Sequence, residues 1–355
     1  MLGIESRTAR ITWTVALVVL LLCLVYLVRR TLFIFVLALL FAHLLSPLVN
    51  LLDRVLPASR TRTRTPALAL AYVILVALVV LVATQIGSRV VEQANALAKK
   101  FPDMVASWQQ PPSAGGAPRS FEDEMMEKVR VEVAKQSSTL ISALPQAGLK
   151  IISVASDLIY VVIIPILGFF FLKDGRVMSQ HVLELFEAGP RRALLNDVLA
   201  DVHLLLSHYM RALMVLSLAT FTAYSIFFSI MGVPYGILLA ALACVLEFIP
   251  MIGPLTANLT IILVAAVAGS HVLAILIFLL AYRMLQDYVI SPHLMQQGVE
   301  LHPLLVLFGV FAGAEVAGIA GSFLSVPVLA LVRILYVRIR KARLAAPLVA
   351  GPVGQ

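Results

Sequence analysis

Apolar runs of about twenty residues recur along this chain, each closed by arginine, lysine or a Pro/Gly break. A hydrocarbon layer of about 30 Å takes roughly 20 residues of α-helix. Backbone inside it must satisfy its own hydrogen bonds, so only helices and closed barrels cross. The runs at Ile11–Val28, Thr31–Leu52, Thr65–Ile86, Leu149–Leu172, Ala212–Met231 and His271–Ile290 are predominantly apolar, without the alternation of a barrel strand. They predict an all-α, polytopic helical membrane protein with about eight membrane segments. Composition agrees. The 355 residues are 61% hydrophobic and 13% charged, against about 45–50% and 25% in soluble domains. One core cannot hide that excess, so membrane lipid must cover much of it.

The net charge of +8 could suggest nucleic acid, but the basic residues gather at the ends of apolar runs and report orientation instead. Arg54, Arg60, Arg62 and Arg64 follow the second run, and Arg333, Arg338, Arg340, Lys341 and Arg343 follow the last. Both termini are expected on the cytoplasmic side of the membrane. The run at Ile11–Val28 reads as a retained span, because no small-x-small cleavage site follows it. Arg29-Arg30 would then sit in a tight turn before the second span. Cys23 and Cys244 each lie within an apolar run and imply neither metal nor disulfide.

Residues 1–88 are expected to hold the first three membrane helices. Residues 89–148 form an amphipathic helical part outside the membrane; eight basic and seven acidic residues between Arg89 and Lys150 nearly cancel. Pro102 is expected to stop the first of its helices, a flexible loop covers Gln109–Ser120, and the part itself is either an oligomer contact or a cap. Residues 149–211 comprise a fourth span, closed at Gly175, and a cytoplasmic amphipathic helix after Pro190. Residues 212–343 are expected to form a C-terminal core, and 344–355 a disordered tail.

Within that core, Ile237–Ile249 and Leu255–Ala268 are too short to span; each gives a helix of roughly 20 Å. Pro250-Met251-Ile252-Gly253-Pro254 separates them, which suggests a re-entrant hairpin. Pro303–Tyr336 is broken by Gly309, Gly313, Gly318, Gly321 and Pro327, with Glu315 among them. It is either one kinked helix or a second discontinuous element. Eight full spans and six spans with two hairpins are equally compatible with the charges.

Several ordered motifs carry a resemblance. Glu247-Phe248-Ile249-Pro250-Met251-Ile252-Gly253-Pro254, Gln286-Asp287-Tyr288-Val289-Ile290-Ser291-Pro292 and Leu301-His302-Pro303-Leu304 resemble the autoinducer-2 exporter family, which includes PerM-type permeases. Phe169-Phe170-Phe171-Leu172-Lys173-Asp174-Gly175 and Gly318-Ile319-Ala320-Gly321 with Pro327 fit the same pattern. Ala212 and Leu213 depart from it where relatives often carry glycine and glutamine. The resemblance implies a bacterial inner-membrane transporter, with roles ranging from export of a signalling furanone to sodium–proton exchange.

Ionisable groups inside a membrane are costly and invite a functional role. Glu247, one turn from the Pro/Gly tip, could bind a proton or cation, or pair with Arg283. Glu315 lies where an unwound helix would expose carbonyls. Asn258 could line the same cavity. Arg283, Gln286 and Asp287 share one helical face and are either a gate or an interfacial cluster. Pro250, Gly253, Pro254, Pro292, Pro303, Gly318 and Gly321 would act as helix breaks. Asp157 and the histidines at 43, 271 and 302 read as interfacial. The sequence has no HExxH, GxSxG or Walker motif, so an enzyme is not expected, nor a cofactor or metal. The expected function is secondary transport: ion- or proton-coupled efflux of a small polar solute or signalling molecule by a homo-oligomer. The alternatives are a monovalent cation/proton antiporter and a non-transport membrane assembly protein.

Overall fold

A computed structural model describes residues 6–56, 65–109, 158–295 and 301–345. All its regular elements among the described residues are helical. They are α1 (Ser6–Leu27), α2 (Arg29–Val55), α3 (Thr65–Val82), α4 (Ser88–Gln109), α5 (Leu158–Glu184), α6 (Pro190–Ile230), α7 (Gly236–Leu246), α8 (Ile252–Val267), α9 (Val272–Leu285), α10 (Ser291–Met295) and α11 (Pro303–Ala345). Five helical stretches are long and apolar enough to cross a membrane. The protein is therefore an all-α, polytopic integral membrane protein.

Several boundaries differ from the sequence reading. The peptide N–H of Val28 donates to the Leu24 carbonyl, and that of Leu32 to the Val28 carbonyl, both at 3.0 Å. The helical ladder thus carries across Val28, and Arg29-Arg30 lie inside a near-continuous helix. α1 does not fold back on α2, and its side chains from Trp13 to Val28 stay exposed. Pro102 does not stop α4, which runs on to Gln109. Gly175 does not end α5, which continues to Glu184. In the middle of a long helix, neighbouring turns hold a residue that would terminate a shorter one. The Gln109–Ser120 loop apart from its first residue, Leu149–Asp157 and the tail beyond Ala345 lie outside the described residues.

Two π-helical turns interrupt otherwise α-helical rods: Ala83–Gly87 joins α3 to α4, and Gln286–Ile290 joins α9 to α10. The second has a covalent cause. Proline lacks an N–H and its ring crowds the carbonyl four residues back. Widening the turn before Pro292 relieves that crowding, and Ser291 bonds the Gln286 carbonyl five residues earlier. Pro292 therefore widens its helix instead of breaking it. Pro303 likewise opens α11, behind His302, whose Nδ1 accepts the Leu304 N–H at 3.2 Å.

α2, α3 and α5 pack through Val49, Ala67, Leu68 and Ala71 against Phe169 and Leu172. The Tyr72 hydroxyl donates to the Pro165 carbonyl at 2.7 Å. Aromatic and small residues build a second core from α6, α7, α8 and α9, joined by Leu97 and Phe101 of α4. The Gln93 side chain of α4 accepts the Leu238 N–H at 2.9 Å, tying that arm to the first turn of α7.

The half-length segments fold into two helical hairpins. In the first, α7 and α8 have 11 and 16 residues, about 16 and 24 Å, short of a bilayer. A Cβ on Gly253 would lie 1.8 Å from the Leu246 carbonyl oxygen, so only glycine permits this approach. At the tip, the Ile252 N–H donates to the Pro250 carbonyl at 2.7 Å, closing a γ-turn with Met251 at φ 64°, ψ −53°, a rare and strained shape. In the second, α11 reverses at Ala317 (φ −142°) and Gly318 (φ 61°). Cβ atoms on Gly313 and Gly321 would lie 2.4 and 2.0 Å from each other's carbonyl oxygens. Pro303–Tyr336 is thus a second discontinuous element rather than one kinked helix.

The hairpins approach α6 from opposite ends. The first hangs from the Met231–Tyr235 turn at the Ile230 end, and its tip reaches Ser217 and Thr220. The second runs along the Pro190 half. Arg338 grips Asp201 through Nε at 2.7 Å and Nη2 at 2.9 Å, and Asp197 through Nη1 at 2.9 Å. Nearer its tip, the Tyr209 hydroxyl lies 3.5 Å from the Phe323 carbonyl. Phe248 of one tip meets Phe323 beside the other, ring centroids 6.2 Å apart.

Candidate functional site

Along α6, Ser217, Thr220 and Tyr224 fall three and four residues apart, so helical geometry sets them on one face. α9 and its π-turn present Tyr282 and Gln286, again four apart. The first hairpin places Glu247 at the end of α7, where the chain turns toward Pro250. These groups converge inside the second core. Relative exposures are 2% for Thr220, 3% for Gln286, 7% for Tyr282 and 8% for Glu247. Water therefore does not solvate the carboxyl group, and the protein must supply its partners.

It supplies one to each oxygen. The Gln286 amide donates to Oε1 of Glu247. The Thr220 hydroxyl stands 3.4 Å from Oε2, a long contact. Tyr282 lies behind it, its hydroxyl 3.1 Å from Thr220 Oγ1. The Tyr282 ring meets the Tyr224 ring edge-on at 5.2 Å, and the Tyr224 hydroxyl donates to Asn258 Oδ1 at 3.0 Å. Glu247 and Gln286 are thereby bonded to each other, and Asn258 lies beside them, held by Tyr224 whose ring packs on Tyr282.

Arg283 pairs with Asp287, Nε to Oδ2 at 2.9 Å, on a partly exposed face, rather than binding Glu247. Asp287 and Arg283 lie beside the cluster, not within its hydrogen bonds. Glu315 is exposed next to the second hairpin's tip, away from Glu247's bonds. Pro250, Gly253 and Pro254 shape the first tip, and Gly318 and Gly321 the second. Pro292 and Pro303 belong to the π-turn and the entry of α11. Among the described residues no three His, Cys, Asp or Glu side chains group as metal ligands.

Thr220, Tyr224 and Tyr282 were not among the residues singled out from sequence. Their signal was available: hydroxyls spaced three and four apart on spans otherwise apolar. His43 also acquires a partner. Its Nδ1 lies 2.8 Å from the Leu39 carbonyl and its Nε2 3.0 Å from Nδ1 of His203, joining α2 to α6.

A family model described as AI-2E family transporter matches residues 15–341. "Putative transport protein YueF" of Bacillus subtilis is 23% identical over 303 residues, 83% of this chain and 80% of that protein. "Putative transport protein YrrI" of the same organism is 27% identical over 181 residues, 51% of each. "Putative permease PerM" of Escherichia coli K12 is 25% identical over 218 residues, 59% of each. The matched stretch spans about half the length of YrrI. The Glu247–Pro254 tip, the Gln286–Pro292 π-turn and both hairpins lie within the matched residues, and the chain belongs to the AI-2E transporter family.

Proposed function

We propose that this protein is a secondary transporter that couples proton movement to efflux of a small polar solute or signalling molecule across a bacterial inner membrane. One observation carries the proposal: a buried carboxyl group, Glu247, sits at the tip of a half-length hairpin, where it meets a second hairpin approaching from the opposite end. Helix breaks facing each other from two sides are a recurrent device for placing a binding site near the bilayer midplane. A carboxyl group there exchanges a proton in step with the movement of its neighbours. Neutral partners, the Gln286 amide and the Thr220 hydroxyl, accommodate either charge state. A fixed salt bridge would hold it ionised, and Arg283 is engaged elsewhere.

The Arg338 end of the second hairpin and the Pro190 end of α6 face the cytoplasm, following the basic residues Arg191, Arg192, Arg333, Arg340 and Lys341. The apolar surface of α1 is covered by lipid or by a second copy in a homo-oligomer.

The test is flux through the purified full-length chain in proteoliposomes containing a pH-sensitive dye. The furanone signal autoinducer-2 and sodium chloride are the two probes. The expected result is proton movement driven by one probe and lost in Glu247→Gln. Probe-driven proton movement unchanged in Glu247→Gln overturns the assignment of Glu247. A response to sodium alone makes the protein a cation/proton antiporter.

A further inference from the structure

The side chains bonded to Glu247 form a chain with a direction. Oε1 faces the NH2 group of the Gln286 amide, which only donates, and Oε2 faces a hydroxyl that can donate or accept. That hydroxyl, on Thr220, has a second hydroxyl behind it, on Tyr282. With Glu247 ionised, the only fully satisfied arrangement has Tyr282 donating to Thr220 and Thr220 donating to Oε2. With Glu247 protonated on Oε2, its O–H donates to Thr220 and the chain reverses, Thr220 donating to Tyr282, so that the Tyr282 hydroxyl can no longer donate toward the carboxyl. All three groups are within 8% of complete burial, so water cannot replace a missing partner. Each comes from a different part of the fold: Glu247 from the first hairpin, Thr220 from the middle of α6, Tyr282 from α9 just before the π-turn. The other titratable or charged groups around the carboxyl are Tyr224 on α6, Cys244 on α7, and Arg283 and Asp287 on α9 and its π-turn. None of them donates to Oε2.

We infer that Thr220 and Tyr282 are positioning residues that set the pH at which Glu247 takes up its proton, and that their hydroxyl chain passes that event from the first hairpin to α9. This rests on Glu247 being the proton-binding group. The 3.4 Å contact between Thr220 and Oε2 leaves room to shorten as the carboxylate charge appears. On protonation the Tyr282 hydroxyl loses its role in stabilising that charge. Tyr282 shares its helix with Gln286, the other partner of the carboxyl, so both contacts that change bear on one element.

The experiment needs no transported solute. The full-length protein in lipid vesicles is titrated while the protonated-carboxyl stretching band is followed by infrared spectroscopy. The Glu247 contribution is the part absent from Glu247→Gln. Thr220→Val removes the donor from the charged form, so the band persists to higher pH. A hydrogen bond to a charged group predicts a displacement of about one to two pH units. Thr220→Ser, which keeps the hydroxyl, returns the midpoint to that of the parent protein. Tyr282→Phe moves it in the same direction as Thr220→Val, but less. If the Glu247 band is present and all three variants share the parent midpoint, the hydroxyl chain is overturned while Glu247 keeps its role. If Thr220→Ser behaves as Thr220→Val, the effect is packing, and the chain is again overturned. If Glu247→Gln removes no titrating band, this inference and the proton-coupled function fall together. Should Thr220→Val fail to fold, Tyr282→Phe, which deletes a single oxygen, decides alone.

Discussion

At the scale of single residues, Glu247 shows how a membrane protein holds an acid away from water. Two neutral donors replace the hydration shell, and aromatic rings from α6 and α9 enclose them. Removing a donor exposes the cost. Gln286→Leu takes the amide from Oε1 and leaves a buried oxygen unsatisfied, so stability falls by about 1–3 kcal/mol. A lowered midpoint in a thermal melt in detergent is the expected reading, and Glu247→Gln combined with Gln286→Leu should recover part of it. Full loss in the double variant would mean that the pair does not interact. From sequence, Glu247, Gln286 and Asn258 could be chosen because polar residues in apolar runs need a reason. Thr220, Tyr224 and Tyr282 could not be chosen as firmly, since hydroxyls often bond their own helix backbone, as Thr222 does to the Leu218 carbonyl.

At the scale of elements, the two hairpins depend on close backbone contact. Lipid gives little hydrophobic drive between helices, so packing of small residues must hold them together. The Gly253 and Gly321 contacts are of that kind. Gly253→Ala or Gly321→Ala forces a methyl group into a backbone carbonyl. Each is expected to lower the yield of folded protein sharply in size-exclusion chromatography. Gly175→Ala is the contrasting case: nothing lies within 4 Å of its added Cβ. There helix propensity favours alanine by up to about 1 kcal/mol, and a melt should show unchanged or raised stability. Equal behaviour of Gly175→Ala and Gly253→Ala would remove the hairpin geometry from the explanation. Arg338 makes a different attachment. Its planar fork bonds both oxygens of Asp201 and one of Asp197, which lysine cannot reproduce. Arg338→Lys should therefore lower the melting midpoint. The deficit against the parent protein should shrink as salt is raised, since screening weakens the parent's ion pairs too.

At the scale of the whole molecule, the opposed approach of the hairpins makes a topological prediction. Pro234, in the turn before the first hairpin, and His302, before the second, should open to opposite sides of the membrane. Single cysteines at the two positions, with Cys23 and Cys244 replaced by alanine, should react with a membrane-impermeant maleimide from opposite faces of oriented vesicles. Labelling from the same face would sink the two-sided arrangement. The sequence alone determined the class, because apolar runs of that number and length, without the alternation of barrel strands, leave membrane-spanning helices as the structure. It also marked the first break at Pro250–Pro254, and left the glycine-rich Pro303–Tyr336 stretch open between a kink and a discontinuity. It misjudged Pro102, Gly175 and Arg29-Arg30, where a long helix outweighs the local preference of one or two residues. Only the tertiary structure decided that Pro303–Tyr336 doubles back, that the two tips meet at Phe248 and Phe323, and that Arg283 leaves Glu247 to Gln286 and Thr220. Those outcomes depend on which surfaces fit at backbone distance, and a linear pattern of apolar and polar residues does not encode that fit.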